Sequence, residues 1–530
     1  MAYIFEQSVG KYRYVYEGTS YRDKNGNPRN TRIRIGKVDP ITKEHVYTPE
    51  YIARMEQTDT PVAVPTTQKR FSIEDIKKST VKDFGCLYLL RSIAEASGLM
   101  GVLQESLDKA WQEVFMLASF LVVTGDPFVY CEDWLNSTES LPVGNMSSQR
   151  VSELLKSISV DSRDRFYSAW CNIRSEREYL ALDITSSSSY SELIEDVEWG
   201  YNRDDENLPQ INICMLMGLD SMLPIYQTTY SGSIGDVSTL DTTFHEFDAI
   251  TGGKPILAVM DKGFFKKSRV TALLDERKDR KFIVPVSFST SFAKNQVVSE
   301  RKDIDCVENT IIINGESTCG ITKTRSWYGV ADVYTHIYFN AKKANASREK
   351  LFAKVAHLRD EAESDPEKFT QSEEYKKYLN IRKSIKTDSG YTVTIRETVI
   401  KDELKHCGWL VLVSNDISCA KEALRIYRAK DIVEKGFMRL KNDLDLGRLR
   451  VHSNESAKNK VFVGFIALII LSKLHVVMSN AGLYKKMTMQ QLIRTLSKLR
   501  VHSIAGEKII MPITKTQKDI FDAFDVPLPV

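Results

Sequence analysis

From residue 178 to residue 286 turn residues cut the chain into short apolar runs, and the order of those runs restricts the fold more than any other feature. EYLALDIT, INICMLMG and LPIYQTTYSG come first, each of strand length. VSTLDTTFHEFDAI then carries helical spacing, PILAVMDKG is a fourth strand, SRVTALLDERKD a charged helix and KFIVPVS a fifth strand. Three strands able to pair as a meander, followed by helix, strand, helix and strand, predict a mixed sheet flanked by helices. Two of the runs end in a carboxylate, Asp183 in LALDIT and Asp261 in LAVMDKG. An ionised Asp at the end of an apolar strand is costly unless it is paired, hydrogen-bonded or bound to a cation. Taken singly, each reads as a strand-end residue bonding loop amides. Taken together on neighbouring strands, they meet at one sheet edge, where a hard cation such as Mg²⁺ relieves their repulsion.

The remaining chain is organised around that segment. Residues 1 to 60 alternate as strands do, in YRYVYEG and TRIRIGKV, around the turn signals of DKNGNP, and predict a β-rich module. Between Lys11 and Lys37 the basic residues Lys11, Arg13, Arg22, Lys24, Arg29, Arg32, Arg34 and Lys37 are opposed only by Glu17 and Asp23. This excess, and a second from Lys421 to Lys460, are candidate phosphate-facing surfaces, with an ordinary solvated face as the alternative. Residues 60 to 69, polar with two prolines, read as a linker. Residues 71 to 172 form a helical region, read as DNA-binding, opened by Ser72 with Glu74 and Asp75. Within it Ser148 caps a helix whose Val151, Leu154, Leu155 and Ile158 make an apolar face. Residues 173 to 292 are the first part of a core. Residues 293 to 408 interrupt it with NTIIING, YGVADVYTHIYFN, YTVTIRETVI and a charged helical stretch from Ser347 to Lys386, and read as a largely β insertion domain. Residues 409 to 475 resume the core with the strand WLVLVSN and a long helix from Cys419 to Leu444, and residues 476 to 530 are a polar helical tail. The fold class expected is therefore a multidomain α+β chain. LRVHS occurs at 449 and again at 499, a coincidence and not a repeat.

Several function classes are excluded. A formal net charge of +3 over 530 residues rules out a polybasic tail protein. The eight cysteines form no CxxC pair and have no nearby His at zinc spacing, which argues for a reducing cytoplasm and against a disulfide framework or zinc site. No GxxxxGK[ST] or GxGxxG element follows a strand, so neither an ATPase nor a dinucleotide enzyme is supported. MAYIFEQSVGKYRY lacks the apolar stretch of a signal peptide, and VFVGFIALIIL at 461 to 471 is too short to span a bilayer and reads as a buried helix, so no membrane partner is expected. Asp241, His245 and Glu246 read as surface helix residues, and Trp327 and Trp409 as core residues.

A third carboxylate stands on the helix ALRIYRAKDIVEKGFMRLKNDL. At about 100° per residue, Tyr427, Lys430, Glu434 and Lys441 fall within an arc of roughly 60°. Val433, Phe437, Leu440 and Leu444 form an apolar stripe alongside, so the helix can pack on a sheet and present the polar edge. That spacing resembles the YREK signature of insertion-sequence transposases, in the family named after insertion sequence four. LALDITS, GYNRDDE at 200 to 206, YSGSIGDVSTL, VMDKGF and HSNESAKNKVFVGFIALII are similar to segments of that family's subgroup with an amino-terminal β module. The signature's Arg is Lys430 here, which keeps a cation and loses the planar fork for phosphate. Arg428 is nearby but about 160° around the helix from it.

The order of strands and helices resembles an RNase H-like core, a mixed five-stranded sheet with flanking helices, interrupted here by the insertion. The family resemblance implies a DDE transposase that cleaves DNA and transfers strands, with Asp183, Asp261 and Glu434 as catalytic residues and metal ligands. It implies two Mg²⁺ or Mn²⁺ ions per site, and DNA contacts from Tyr427, Arg428, Lys430 and Lys441. The implied partners are double-stranded DNA, as terminal inverted repeats and target, and a second copy of the chain as a homodimer. The implied setting is a prokaryotic cytoplasm, at the nucleoid when DNA is bound. Two rivals remain: a metal-dependent nuclease on the same core that joins no strands, and a catalytically silent DNA-binding derivative.

Overall fold

The computed structural model describes residues 2–10, 12–22, 27–40, 43–56, 71–174, 178–204, 206–252, 257–275, 280–385 and 390–529. The 60–69 linker, and Lys11, Asp23 and Lys24 of the basic stretch, lie outside the described residues. The chain divides into two compact units, Met1–Ile76 and Lys77–Val530.

The first unit is a four-stranded antiparallel sheet in sequential order, β1 (Ala2–Val9), β2 (Tyr12–Arg22), β3 (Pro28–Val38) and β4 (His45–Tyr47), followed by the helix Pro49–Glu56. Strand alternation decides its two faces. Val15 and Ile35 turn to one side and are buried with Tyr51 of the helix. A register shift between Val15 and Tyr16 lets Ile35 join that side.

The second unit opens with β5 (Thr80–Asp83) and a set of helices, among them Gly85–Ala96, Trp111–Thr124, Ser148–Ser157 and Val160–Ile173. The helix at 148 is capped by Ser147 and not by Ser148, since the Ser147 hydroxyl accepts from the Arg150 N–H at 3.3 Å. Then come β6 (Leu180–Ser188), β7 (Gln210–Gly218), β8 (Pro224–Ser231), β9 (Leu257–Met260), β10 (Lys281–Pro285), β11 (Thr310–Ile313), β12 (Glu316–Trp327) and β13 (Ala331–Phe339). After these follow β14 (Leu379–Lys383), β15 (Tyr391–Ile395), β16 (Trp409–Ser414), β17 (Arg500–Ile504) and β18 (Glu507–Ile510).

Nine strands form one mixed sheet in the order β11-β12-β13-β16-β10-β9-β6-β7-β8. β6, β9 and β10 are mutually parallel, β7 and β8 complete the meander beside β6, and every other pairing is antiparallel. The sheet has nine strands where five were expected, because the early part of the 293–408 segment stays in it. β16 covers the edge that β10 would leave unpaired, and β13 pairs with β16 from Tyr334↔Ser414 to Phe339↔Trp409. Only the later part builds a core of its own, from Val355, Leu358, Tyr375, Tyr378 and Ile400, around the β14–β15 hairpin. The charged stretch from 347 is helical to Ser364, where Pro366 opens a new short helix, and 379–383 is strand. The tail also carries strands: β17 pairs with β18 and with β5. The second LRVHS is thus largely strand, whereas the first leads into a helix.

That helix, Asn454–Asn480, is long and apolar enough to cross a membrane, but 78% of its most apolar window is buried inside this fold. It packs against the Trp111–Thr124 helix and β8, with Phe462 edge-on to Phe166 at 5.0 Å.

Candidate active site at the edge of the central sheet

Register brings the first two carboxylates together. β6 and β9 pair through Leu180↔Ala258, Ala181↔Val259 and Leu182↔Met260, so Asp183 on β6 and Asp261, the residue just past β9, follow the last pair. Asp183 is the more enclosed. Its Oδ1 accepts the Ile184 N–H at 2.8 Å, yet burial, with the negative charges of Asp261 and Glu434 behind it, pushes its carboxyl up to about 6. Asp261 opens a short 3₁₀ turn, Lys262–Phe264, and its side chain is 41% exposed.

The third carboxylate arrives on a stretch whose spacing predicts one long helix from Cys419 to Leu444 but which breaks at Lys430. Ala420–Ala429 ends there and Asp431–Asn442 begins, with Lys430 bonded back to the Tyr427 carbonyl and Val433 to the Lys430 carbonyl, both three residues apart. The second helix lies on the sheet through Ile432, Val433, Phe437 and Leu440, all buried. Gly436 permits the close approach, since a Cβ there would come within 2.5 Å of Met217 Sδ on β7. Glu434 sits in the first turn and is 55% exposed.

Lys430 joins the set. Its side chain is largely buried, with Nζ 3.4 Å from Asp261 Oδ1 and 3.3 Å from Glu434 Oε1. Burial disfavours its charge, but Asp261, Glu434 and Asp183 outweigh that and hold the ammonium above the usual lysine range. The Tyr427 hydroxyl donates to Asp261 Oδ1 at 3.4 Å, and burial and the same aspartate push its proton well above the ordinary phenol range. Tyr427, Lys430 and Glu434 thus gather with Asp183 and Asp261. Beside Lys430 a cavity of about 650 Å³ is lined by Lys343, Arg425 and Lys435 among others.

The other two candidates are held elsewhere. Lys441 Nζ donates to both oxygens of Asp204, at 2.7 and 2.6 Å. Arg428 reaches β12 instead, with Thr318 Oγ1 at 3.0 Å and Glu316 at 3.2 Å. Asp241 pairs with Arg269, and Trp327 is buried with its indole N–H on Thr271.

A partly buried polar lattice with no local sequence signal fixes the exit of the Glu434 helix. The seryl end of β6 would be costly to bury unpartnered. Ser187 Oγ donates to the Leu446 carbonyl at 2.7 Å, and Ser188 Oγ to Glu206 at 2.7 Å. Glu206 also takes both arms of Arg448 at 2.6 Å, which holds its carboxyl below the usual range. Opposite charges at such sequence distances carry no local signal, and the resemblance of GYNRDDE was the sole pointer.

The donor set suits a hard divalent ion: three carboxylates, no thiolate, no imidazole. One ammonium against three carboxylates leaves the cluster acidic if all ionise. Among the described residues, however, no three His, Cys, Asp or Glu side chains stand as a ready-made cation site. Lys430 supplies the positive charge between Asp261 and Glu434 in this arrangement. The exposure of those two side chains leaves them room to turn toward Asp183.

The meander and the parallel strands beside it thus put two carboxylates at one sheet edge, and a helix brings a third. The sequence matches the transposase DDE domain family over residues 174–470, more than half of the chain, and the protein belongs to that family. A cryo-electron microscopy structure of a piggyBac transposase synaptic complex with hairpin DNA aligns at a TM-score of 0.34 and 10% identity, over 90% of this chain and 81% of that one. No curated protein matches the chain.

Proposed function

We propose that the chain is a transposase of the insertion-sequence-four type, which cleaves DNA at the ends of its element and joins those ends to target DNA. The observation that supports it most is the meeting of Asp183, Asp261 and Glu434 around Lys430. On this reading the three carboxylates hold two Mg²⁺ or Mn²⁺ ions. When bound, such ions supply Lewis-acid stabilisation to phosphate oxygens and acidify an attacking hydroxyl. Asp183, enclosed and fixed by the Ile184 amide, is the rigid donor, and Asp261 and Glu434 adjust to it. Lys430 leaves the carboxylates for a DNA phosphate as a point charge, and Tyr427 orients Asp261 and the strand. Lys441 and Arg428 reach DNA only after leaving Asp204 and Glu316, so they act later or more weakly than Lys430.

The central β8-β7-β6-β9-β10 order, with β6, β9 and β10 parallel, supports an RNase H-like core across 173–292 and 409–475. Residues 1–60 and 71–172 then bind DNA, 293–408 covers the transposon end, and 476–530 is a tail. Two copies of the chain each process one end, in a prokaryotic cytoplasm.

The test is a divalent-ion-dependent assay on the DNA flanking the gene, comparing the native chain with Glu434→Ala. Cleavage and joining of 3′-ends to target DNA, both lost in the variant by on the order of 10⁴-fold, are expected. Cleavage without joining would select a nuclease, and equal activity in the variant would remove Glu434 from the reaction.

A further inference from the structure

The first unit carries a second surface suited to nucleic acid, remote in kind from the carboxylate chemistry. Paired residues share a face of a sheet. The pairs Phe5↔Tyr16, Gln7↔Tyr14 and Val9↔Tyr12, with Tyr16↔Arg34, Gly18↔Arg32 and Tyr14↔Lys37, therefore place five aromatic rings and three cations on the same side. Tyr3, opposite Gly18, is the fifth ring, and the glycine matters: a Cβ there would come within 2.7 Å of the ring. The rings form a connected set, with Tyr3 and Phe5 at 5.6 Å between centroids and Phe5 stacked on Tyr16 at 5.8 Å. The Arg34 guanidinium lies 3.8 Å over the Tyr14 ring, and Arg32 donates to Gln7 at 2.9 Å. The two acidic residues described in these three strands, Glu6 and Glu17, pair with Val15 and Ile33 and so lie on the other face. That other face is the one the Pro49–Glu56 helix covers, where Glu17 is bonded by Arg54.

We infer that this aromatic and cationic face binds an unpaired stretch of DNA strand, its rings stacking on bases and Arg32, Arg34 and Lys37 meeting the phosphates. Charge complementarity selects a polyanion, since every described acid of these strands is on the far side. Rings open to solvent, with Tyr3 and Tyr12 exposed and Phe5, Tyr14 and Tyr16 partly so, select unpaired bases, because in a duplex the base faces are already stacked on one another. The Tyr14 ring under the Arg34 guanidinium and the Gln7 bond to Arg32 position these two cations on the face for phosphate oxygens. The inference deepens the proposed DNA-binding role of residues 1–60 and rests on that reading only for the choice of DNA over RNA.

The test is fluorescence anisotropy of the full chain with a labelled oligothymidylate of about 15 nucleotides, in EDTA, so that failure of the cleavage reading leaves the readout untouched. Parallel arms use a duplex and an oligouridylate of the same length. The single strand should bind more tightly than the duplex. Arg32→Ala with Arg34→Ala should weaken it by about tenfold, and Arg13→Ala, on the helix-side face, should not. Tyr16→Ala should weaken it severalfold and Tyr16→Phe should restore it, which also guards against loss of fold in the alanine variant. Equal binding by Tyr16→Ala and the parent, an equal loss in Arg13→Ala, or duplex bound as tightly as single strand would overturn the inference. Preference for oligouridylate would overturn the choice of DNA.

Discussion

The carboxylate edge of the central sheet and the aromatic face of the amino-terminal sheet are both made by strands, yet they depend on the rest of the chain to different degrees. In the amino-terminal sheet the face is a local product. Successive residues of β2 alternate sides, and a hairpin partner a few residues away completes the pattern. At the carboxylate edge, Asp183 and Asp261 meet only because β6 pairs with β9 in one register, and Glu434 only because a distant helix lands on β7. A local face can lose one residue and stay a face. A site assembled from three remote segments depends on the packing beneath all of them.

Damage to the central unit should therefore be large and cooperative. Phe462, fully buried on the long apolar helix among Phe166, Tyr167 and Phe465, supports that packing. Phe462→Ala should cost about 3–5 kcal/mol in denaturant unfolding and lower any DNA cleavage in step. A loss below about 1 kcal/mol would mean that the helix is not the support described here.

A second difference concerns acid. His336 on β13 is completely buried, its Nδ1 2.8 Å from Thr322 Oγ1, and burial lowers its pKa from 6.5 to about 4. The unfolded chain takes up a proton near 6.5 that the folded chain refuses until about 4, so stability present above 6.5 is lost as pH falls through that window, by roughly 3 kcal/mol at most. His336→Leu should flatten that part of the profile: its melting temperature should fall less between pH 7 and pH 5 than that of the parent. Parallel profiles would show that His336 does not set the acid response.

Effects in the amino-terminal sheet should be smaller and confined to one face. Val15→Ala, in the small core with Ile35 and Tyr51, should cost about 2 kcal/mol. Tyr12→Ala, 65% exposed on the aromatic face, should change stability by less than about 0.5 kcal/mol. Hydrogen exchange across β1–β3 reads both, and similar losses in the two variants would erase the distinction between faces.

Legibility in the sequence follows the same division. The strands and helices from 178 to 286 were readable because their periods are local, and the structure places them in the order read. The extension of the sheet through β11–β13 and β16 was not, since nothing in a strand names its partner. The break at Lys430 has no Pro or Gly to announce it. Asp183 and Asp261 stand out as polar ends of apolar runs, whereas Glu434 is like any polar residue of an amphipathic helix apart from its signature spacing from Tyr427, Lys430 and Lys441. The pairs Lys441 with Asp204 and Arg448 with Glu206 had no pattern to betray them.

Cation binding probes the central claim most directly: isothermal titration of Mn²⁺ into the full-length protein and into Asp183→Ala, Asp261→Ala and Glu434→Ala, without DNA. If the three side chains share their ions, the parent binds Mn²⁺ and each variant loses at least about tenfold in affinity. Parent-like affinity and stoichiometry in Glu434→Ala would contradict the account.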